Sequence, residues 1–188
     1  MSLRRAFSIS VISGILSMAA LPVQAASVTY FMNQSNVGPS LPDGTDYLKV
    51  TIDDEGDAGD INFTVETLAP LNSLADNNFG IDQFGFNTSI MLTDANIINE
   101  PSSWSLLGAG NMDGVGGFSF RENTNGASNR VDPLMFSITG IVGDSIADYV
   151  GPSSGNAGEG NALFAAHVAG FDDGAGNSSG FFATPVPV

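Results

Sequence analysis

The sequence predicts an all-β fold, a single antiparallel β-sandwich or jelly-roll-like domain with one or two short helical turns. Three observations carry this expectation. Apolar residues recur at every second position in most of the ordered-looking segments, clusters of Gly, Asn, Asp and Pro interrupt those segments at short intervals, and helix signals are few. Short strands punctuated in this way fit a sandwich or jelly roll better than alternating βαβ units.

The elements follow in order. After "SVTYFM", the segment "DYLKVTID" places Leu48, Val50 and Ile52 on one face and Lys49 and Thr51 on the other. In "DINFTVET", Ile61, Phe63 and Val65 alternate with Asn62, Thr64 and Glu66, and the acidic, glycine-containing link between the two runs predicts a hairpin. Further strands are expected in "DQFGFN", "SIMLT", "SWSLL", "GFSFRE", "LMFSITGI", "ALFAAHVAGF" and "GFFA". A helical turn is expected in "GDSIADYVGP", capped by Asp144 and stopped at Gly151-Pro152, and a second in "PLNSLADNN". The segments "ENTNGASNRVDP", "GPSSGNAGEGN" and "DDGAGNSSG" read as exposed loops, where a sandwich usually carries its function.

Composition narrows the function classes. The 188 residues hold 20 acidic and 5 basic side chains, a formal charge of −15, so nucleic acid is a poor partner. There is no cysteine, and a core must therefore hold the domain without disulfides. The first residues, "MSLRRAFSISVISGILSMAALPVQA", place Arg4 and Arg5 before an apolar run that ends near Pro22, with Val23 and Ala25 three positions and one position before a cut. This is the anatomy of a secretory signal peptide, cleaved after Ala25, and it predicts an exported protein. The expected organisation is a signal peptide over 1–25, a sandwich over 26–183 and a short tail over 184–188.

Candidate chemistry is sparse. In "TIDDEGDAGD", the residues Asp53, Asp54, Glu55, Asp57 and Asp60 form a candidate calcium loop, since Ca²⁺ takes six to eight oxygen ligands. The run lacks EF-hand spacing, and its alternative is a solvated hairpin tip that discourages edge pairing. His167 is the single histidine, so a multi-histidine zinc site within one chain is excluded. It is either the base of a Ser-His-Asp arrangement or a strand residue with a satisfied hydrogen bond, and no G-x-S-x-G elbow favours the first. "GAGNMDGVGG" departs from a nucleotide-binding loop at Asp113 and reads as a connecting loop. Trp104, beside Ser102, Ser103 and Ser105, is a candidate platform for stacking a sugar, with a buried core tryptophan as the alternative.

Taken together, the signal peptide, the cysteine-free acidic domain, "LPDGTDYLKVTIDD", "FGFN", "FSITG", "DSIADYV", "FAAHVAGF" and the terminal "TPVPV" resemble the PEP-CTERM family of exported bacterial proteins. In that family a proline-containing motif precedes a hydrophobic span and a basic tail, and Pro185, Val186 and Pro187 match the start of that motif. The resemblance implies processing by an exosortase-type enzyme, a transient membrane stage through a span that would follow Val188, and residence at the Gram-negative cell surface or in a biofilm matrix of exopolysaccharide. The expected function is then non-enzymatic, in the surface or matrix layer. The alternative is a secreted lectin-like carbohydrate-binding module, calcium-dependent if the acidic hairpin binds metal.

Overall fold

A computed structural model describes residues 26–54, 60–124 and 126–187. The signal segment, its cleavage position at Ala25, and Glu55 and Asp57 of the acidic hairpin lie outside the described residues. In chain order the strands are β1 (Ser27–Met32), β2 (Gln34–Ser35), β3 (Leu48–Asp53), β4 (Asp60–Thr67), β5 (Ala75–Phe86), β6 (Ile97–Ile98) and β7 (Trp104–Leu107). They continue with β8 (Gly110–Met112), β9 (Gly116–Phe118), β10 (Phe120–Thr124), β11 (Leu134–Thr139), β12 (Ala162–Phe171) and β13 (Ser179–Pro185). One helical turn, α1 (Ala69–Asn72), and three 3₁₀ turns join them.

The strands form an antiparallel sandwich. One sheet has the order β1-β3-β4-β11-β6, the other β2-β13-β12-β5-β10-β7, and β8-β9 is a separate hairpin. Alternation puts Leu48, Val50, Ile52, Ile61, Phe63 and Val65 on the inner face of the first sheet. Across the gap, Phe84, Phe86, Phe164, Val168 and Phe182 come from the second sheet. Phe63 lies parallel on Phe136 with ring centroids 4.8 Å apart, and Phe84 on Phe164 at 6.0 Å. Each buried phenylalanine contributes about 1.5–3 kcal/mol relative to an exposed one, which is how a chain without cysteine holds together.

The sequence expectations meet the structure unevenly. β3 and β4 pair as the predicted hairpin, from Leu48 opposite Thr67 to Asp53 opposite Asn62. "SIMLT" is not a strand. Ser119 N–H donates to Asn87 Oδ1 and Thr88 N–H to Ser119 Oγ, so side chains take over the ladder just past β5. The glycine-rich segment expected to be a plain loop forms the β8-β9 hairpin, turning at Asp113-Gly114 with Gly114 at φ +82°. The 3₁₀ turn Ile146–Tyr149 begins after Ser145, not Asp144; Asp144 instead accepts the Tyr149 hydroxyl at 2.5 Å.

The sheet also runs past position 183. β13 continues to Pro185, which stands opposite Ala162, and Val186 N–H donates to Asn161 O at 3.3 Å. β2 covers only Phe182 and Ala183, so Pro185 lies where β13 has become an edge and no donor is required on its free side.

The outer face of the six-stranded sheet is divided. Gly85, Ala165 and Ala183 stand in register on β5, β12 and β13, and the β8-β9 hairpin packs Met112, Val115 and Phe118 against this strip of small residues. Beyond the strip the face is open.

Candidate binding face on the six-stranded sheet

Two residues further along each of the three strands, the small side chains give way to Gln83, His167 and Phe181, again in register. A β-bulge lies here. His167 pairs with Gln83 and Val168 with Ile81, so Asp82 is the extra residue of β5. Bulges re-aim side chains, and this one brings Asp82 and Gln83 together beside His167.

Asp82 is the hub. His167 Nδ1 lies 2.5 Å from Asp82 Oδ1, and Arg130 Nε donates to Asp82 Oδ2 at 3.1 Å. Because an ionised carboxylate only accepts, Nδ1 carries the proton, which leaves Nε2 of a neutral imidazole as an acceptor facing away from Asp82. Arg130 also donates to Asn78 O at 3.2 Å, so the guanidinium bridges two points of β5. The Phe181 ring packs on the imidazole with centroids 4.4 Å apart. Gln83 Nε2 donates to Asn123 Oδ1 at 3.1 Å and extends the polar array onto β10.

Two shallow depressions flank the Arg130–His167 pair. One, of about 410 Å³, is bordered by Asp82, Gln83, Asn123 and Phe181; the other, of about 330 Å³, by Asp76, Asn77, Ser178 and Ser179. Fixed donors and acceptors beside a partly buried phenylalanine ring suit a ligand rich in hydroxyl groups. The His167–Asp82 pair also has the form of a base with its orienting carboxylate, but among the described residues no serine hydroxyl hydrogen-bonds to His167.

Of the residues singled out from sequence that the structure describes, His167 alone lies here. Trp104 is corrected as a sugar platform: it is 5% exposed, packs in the core and donates from Nε1 to Asn129 O at 3.0 Å. Its position on the inward side of β7 removes both ring faces from solvent, and Phe181 is the aromatic that the open face does present. In the acidic hairpin, Asp54 Oδ1 accepts from Ala26 N–H at 2.6 Å, Asp60 accepts the Thr139 hydroxyl, and Asp53 ends β3 opposite Asn62. Among the described residues no three His, Asp or Glu side chains are gathered as a metal-ligand set. Pro185, Val186 and Pro187 border a separate surface groove of about 600 Å³ with Gln34, Pro152 and Asn161.

Sequence reasoning passed over Asp82, Arg130 and Phe181. One signal was present: from residue 26 on, the only cations are Lys49, Arg121 and Arg130. Lys49 pairs with Glu66 on the other sheet at 2.5 Å, while Arg130 is spent on this array. Also missed was Glu122, which faces the interior beside Phe84 and is fully buried. Burial, and then the Glu100 carboxyl, push its pKa up to about 9. No protein-family model, curated protein or solved structure matches the chain.

Proposed function

We propose that this chain is an exported, non-enzymatic protein of the cell surface or exopolysaccharide matrix, and that it holds polysaccharide on the open part of the six-stranded sheet. The observation that carries the binding part is the array of Phe181, His167, Asp82 and Arg130. Its polar groups are locked to one another, so little side-chain freedom is lost when a sugar docks. A strongly acidic protein repels uronate polymers, so the favoured ligand is a neutral polysaccharide. Export is supported by the arginine-led apolar segment before Ala26, and sorting by an exosortase-type enzyme by the resemblance at Pro185, Val186 and Pro187.

The array also supports the narrower reading of a lectin that selects one glycan, because Asp82 fixes the imidazole and the guanidinium in set directions. A glycan array read with the purified domain and with Phe181→Ala tests both. Retention of neutral polysaccharides that falls in the variant supports matrix binding, and a single retained structure supports the lectin. No retention, or retention unchanged in Phe181→Ala, removes the binding face. Export is tested separately by expressing the whole chain in a Gram-negative host and sequencing the mature N-terminus, which is expected at Ala26.

A further inference from the structure

Period two along β10 turns Arg121 and Asn123 outward and Phe120, Glu122 and Thr124 inward. Glu122 therefore stands on the core side of the sheet, opposite Phe84 in register, at 0% exposure. Both of its carboxyl oxygens are buried and have no donor among the described residues, and the same holds for Oε2 of Glu100. The two carboxyl groups lie within hydrogen-bonding reach of each other, and Asp94 adds a third negative charge nearby. Neither glutamate gives the other a donor unless one keeps a proton, and a shared proton still leaves the cluster with two negative charges.

The cluster lies at a rim of the sandwich and not at its centre. Glu100 follows the two-residue edge strand β6, and β10 is next to the edge strand β7. Glu100 is itself only half-buried, so one side of the cluster reaches the surface.

We propose that Glu100 and Glu122 bind a divalent cation, calcium by its preference for oxygen ligands, between the edges of the two sheets. Once the proton that Glu122 carries at neutral pH leaves to solvent, two carboxylates supply up to four oxygens, and backbone carbonyls and water complete the six to eight that calcium takes. With two carboxylates in the set, the affinity falls in the range of extracellular modules, a Kd of about 10⁻⁴–10⁻³ M. The acidic hairpin between β3 and β4 is a different place on the chain and is not part of this site.

The test uses the full mature chain at neutral pH, stripped of metal, with calcium and terbium as probes. Calcium at about ten times its Kd is expected to raise the melting temperature by roughly 3–5 °C. Terbium is expected to luminesce through Trp104, the only tryptophan, which lies on the strand paired with β10. Both signals are expected to vanish in Glu122→Gln and to survive in Asp53→Asn/Asp54→Asn/Asp60→Asn. Glu100→Gln gives the same readout should Glu122→Gln fail to fold. The proposal is overturned by a melting temperature that ignores millimolar calcium, or by signals unchanged in both glutamine variants.

Discussion

Replacing Asp82 by alanine removes the carboxylate that ties β5 to β12 and to the loop carrying Arg130. Two contacts are lost, the 3.1 Å bond from Arg130 and the 2.5 Å bond from His167. The three side chains are 18–22% exposed, so water screens them less than a surface pair but more than a buried one. Breaking a fully buried pair costs about 3–5 kcal/mol, mostly through the charge left behind. Here Arg130 keeps its bond to Asn78 O, so the lower range for charged hydrogen bonds applies. The expected cost is about 2–4 kcal/mol, which for a domain of this size lowers the melting temperature by roughly 5–15 °C.

The assay is a double-mutant cycle by thermal or urea unfolding with Asp82→Ala, Arg130→Ala and the pair. A coupling of about 1–2 kcal/mol is expected between these neighbours. If Asp82→Ala melts within about 1 °C of the parent and the two effects simply add, the array is solvated surface and the reasoning fails. The binding face would then lose the rigidity on which its proposed affinity rests.

The other predictions concern separate parts of the molecule. Phe181→Ala is expected to weaken polysaccharide binding about 5–10-fold, the worth of roughly 1 kcal/mol of aromatic surface covered by a sugar, as read by isothermal titration. A Cβ on Gly85 would sit 2.4 Å from Met112 Sδ and 2.9 Å from Phe118 Cγ; the thioether can move but the root of the ring cannot. Gly85→Ala is therefore expected to cost about 1–3 kcal/mol in urea unfolding, with Gly108→Ala, which meets nothing within 4 Å, as the neutral control. Ser40 and Asn177 hold the Asp173 carboxyl well below the usual carboxylate range. Since its pKa is lowered on folding, the anchoring is present above about pH 4 and is lost only as the pH falls further. Amide exchange at Ala175 and Asn177, whose N–H groups Asp173 accepts, is expected to quicken only in stronger acid, or at neutral pH in Asp173→Ala.

The sequence made β3 and β4 legible because each has one buried and one solvated face, and alternation reports that directly. It did not make the site legible. Asp82 and His167 are 85 positions apart, and they meet only because a bulge inserts Asp82 into β5. The bulge does mark the pattern, as a three-residue step between Ile81 and Phe84 in an otherwise alternating run, but that step does not say which distant strand Asp82 meets. Trp104 misled for another reason: Ser102 and Ser103 describe the loop before β7, whereas its own burial is set by which face of the strand meets the other sheet. Pro185 joined the sheet despite its missing donor because β2 is too short to need one there. Glu122 was visible in principle, since it shares a face with Phe120 and Thr124 by simple alternation, and a carboxylate on an apolar face is the informative exception.

The outer face of the six-stranded sheet joins fold to proposed function. Along β5, β12 and β13 the change from Gly85, Ala165 and Ala183 to Gln83, His167 and Phe181 happens within two residues and in register. The small residues are required by the hairpin that lies on them, because any Cβ at Gly85 collides with it. Gln83 and His167 lie beyond the hairpin, while Phe181 is partly buried against the hairpin's cluster and packs its ring on the imidazole. A face that needed only to stay soluble is satisfied by unpaired charges and small polar groups, which this acidic chain has in excess. Instead, one of its three cations after Ala25, its only histidine and a phenylalanine ring are locked together around a single carboxylate. Ordering long side chains at a surface costs rotamer entropy, which the contacts around Asp82 offset. That order is what a preformed ligand platform requires, and it is why the open half of the sheet, and not the acidic hairpin or Trp104, is where binding is expected.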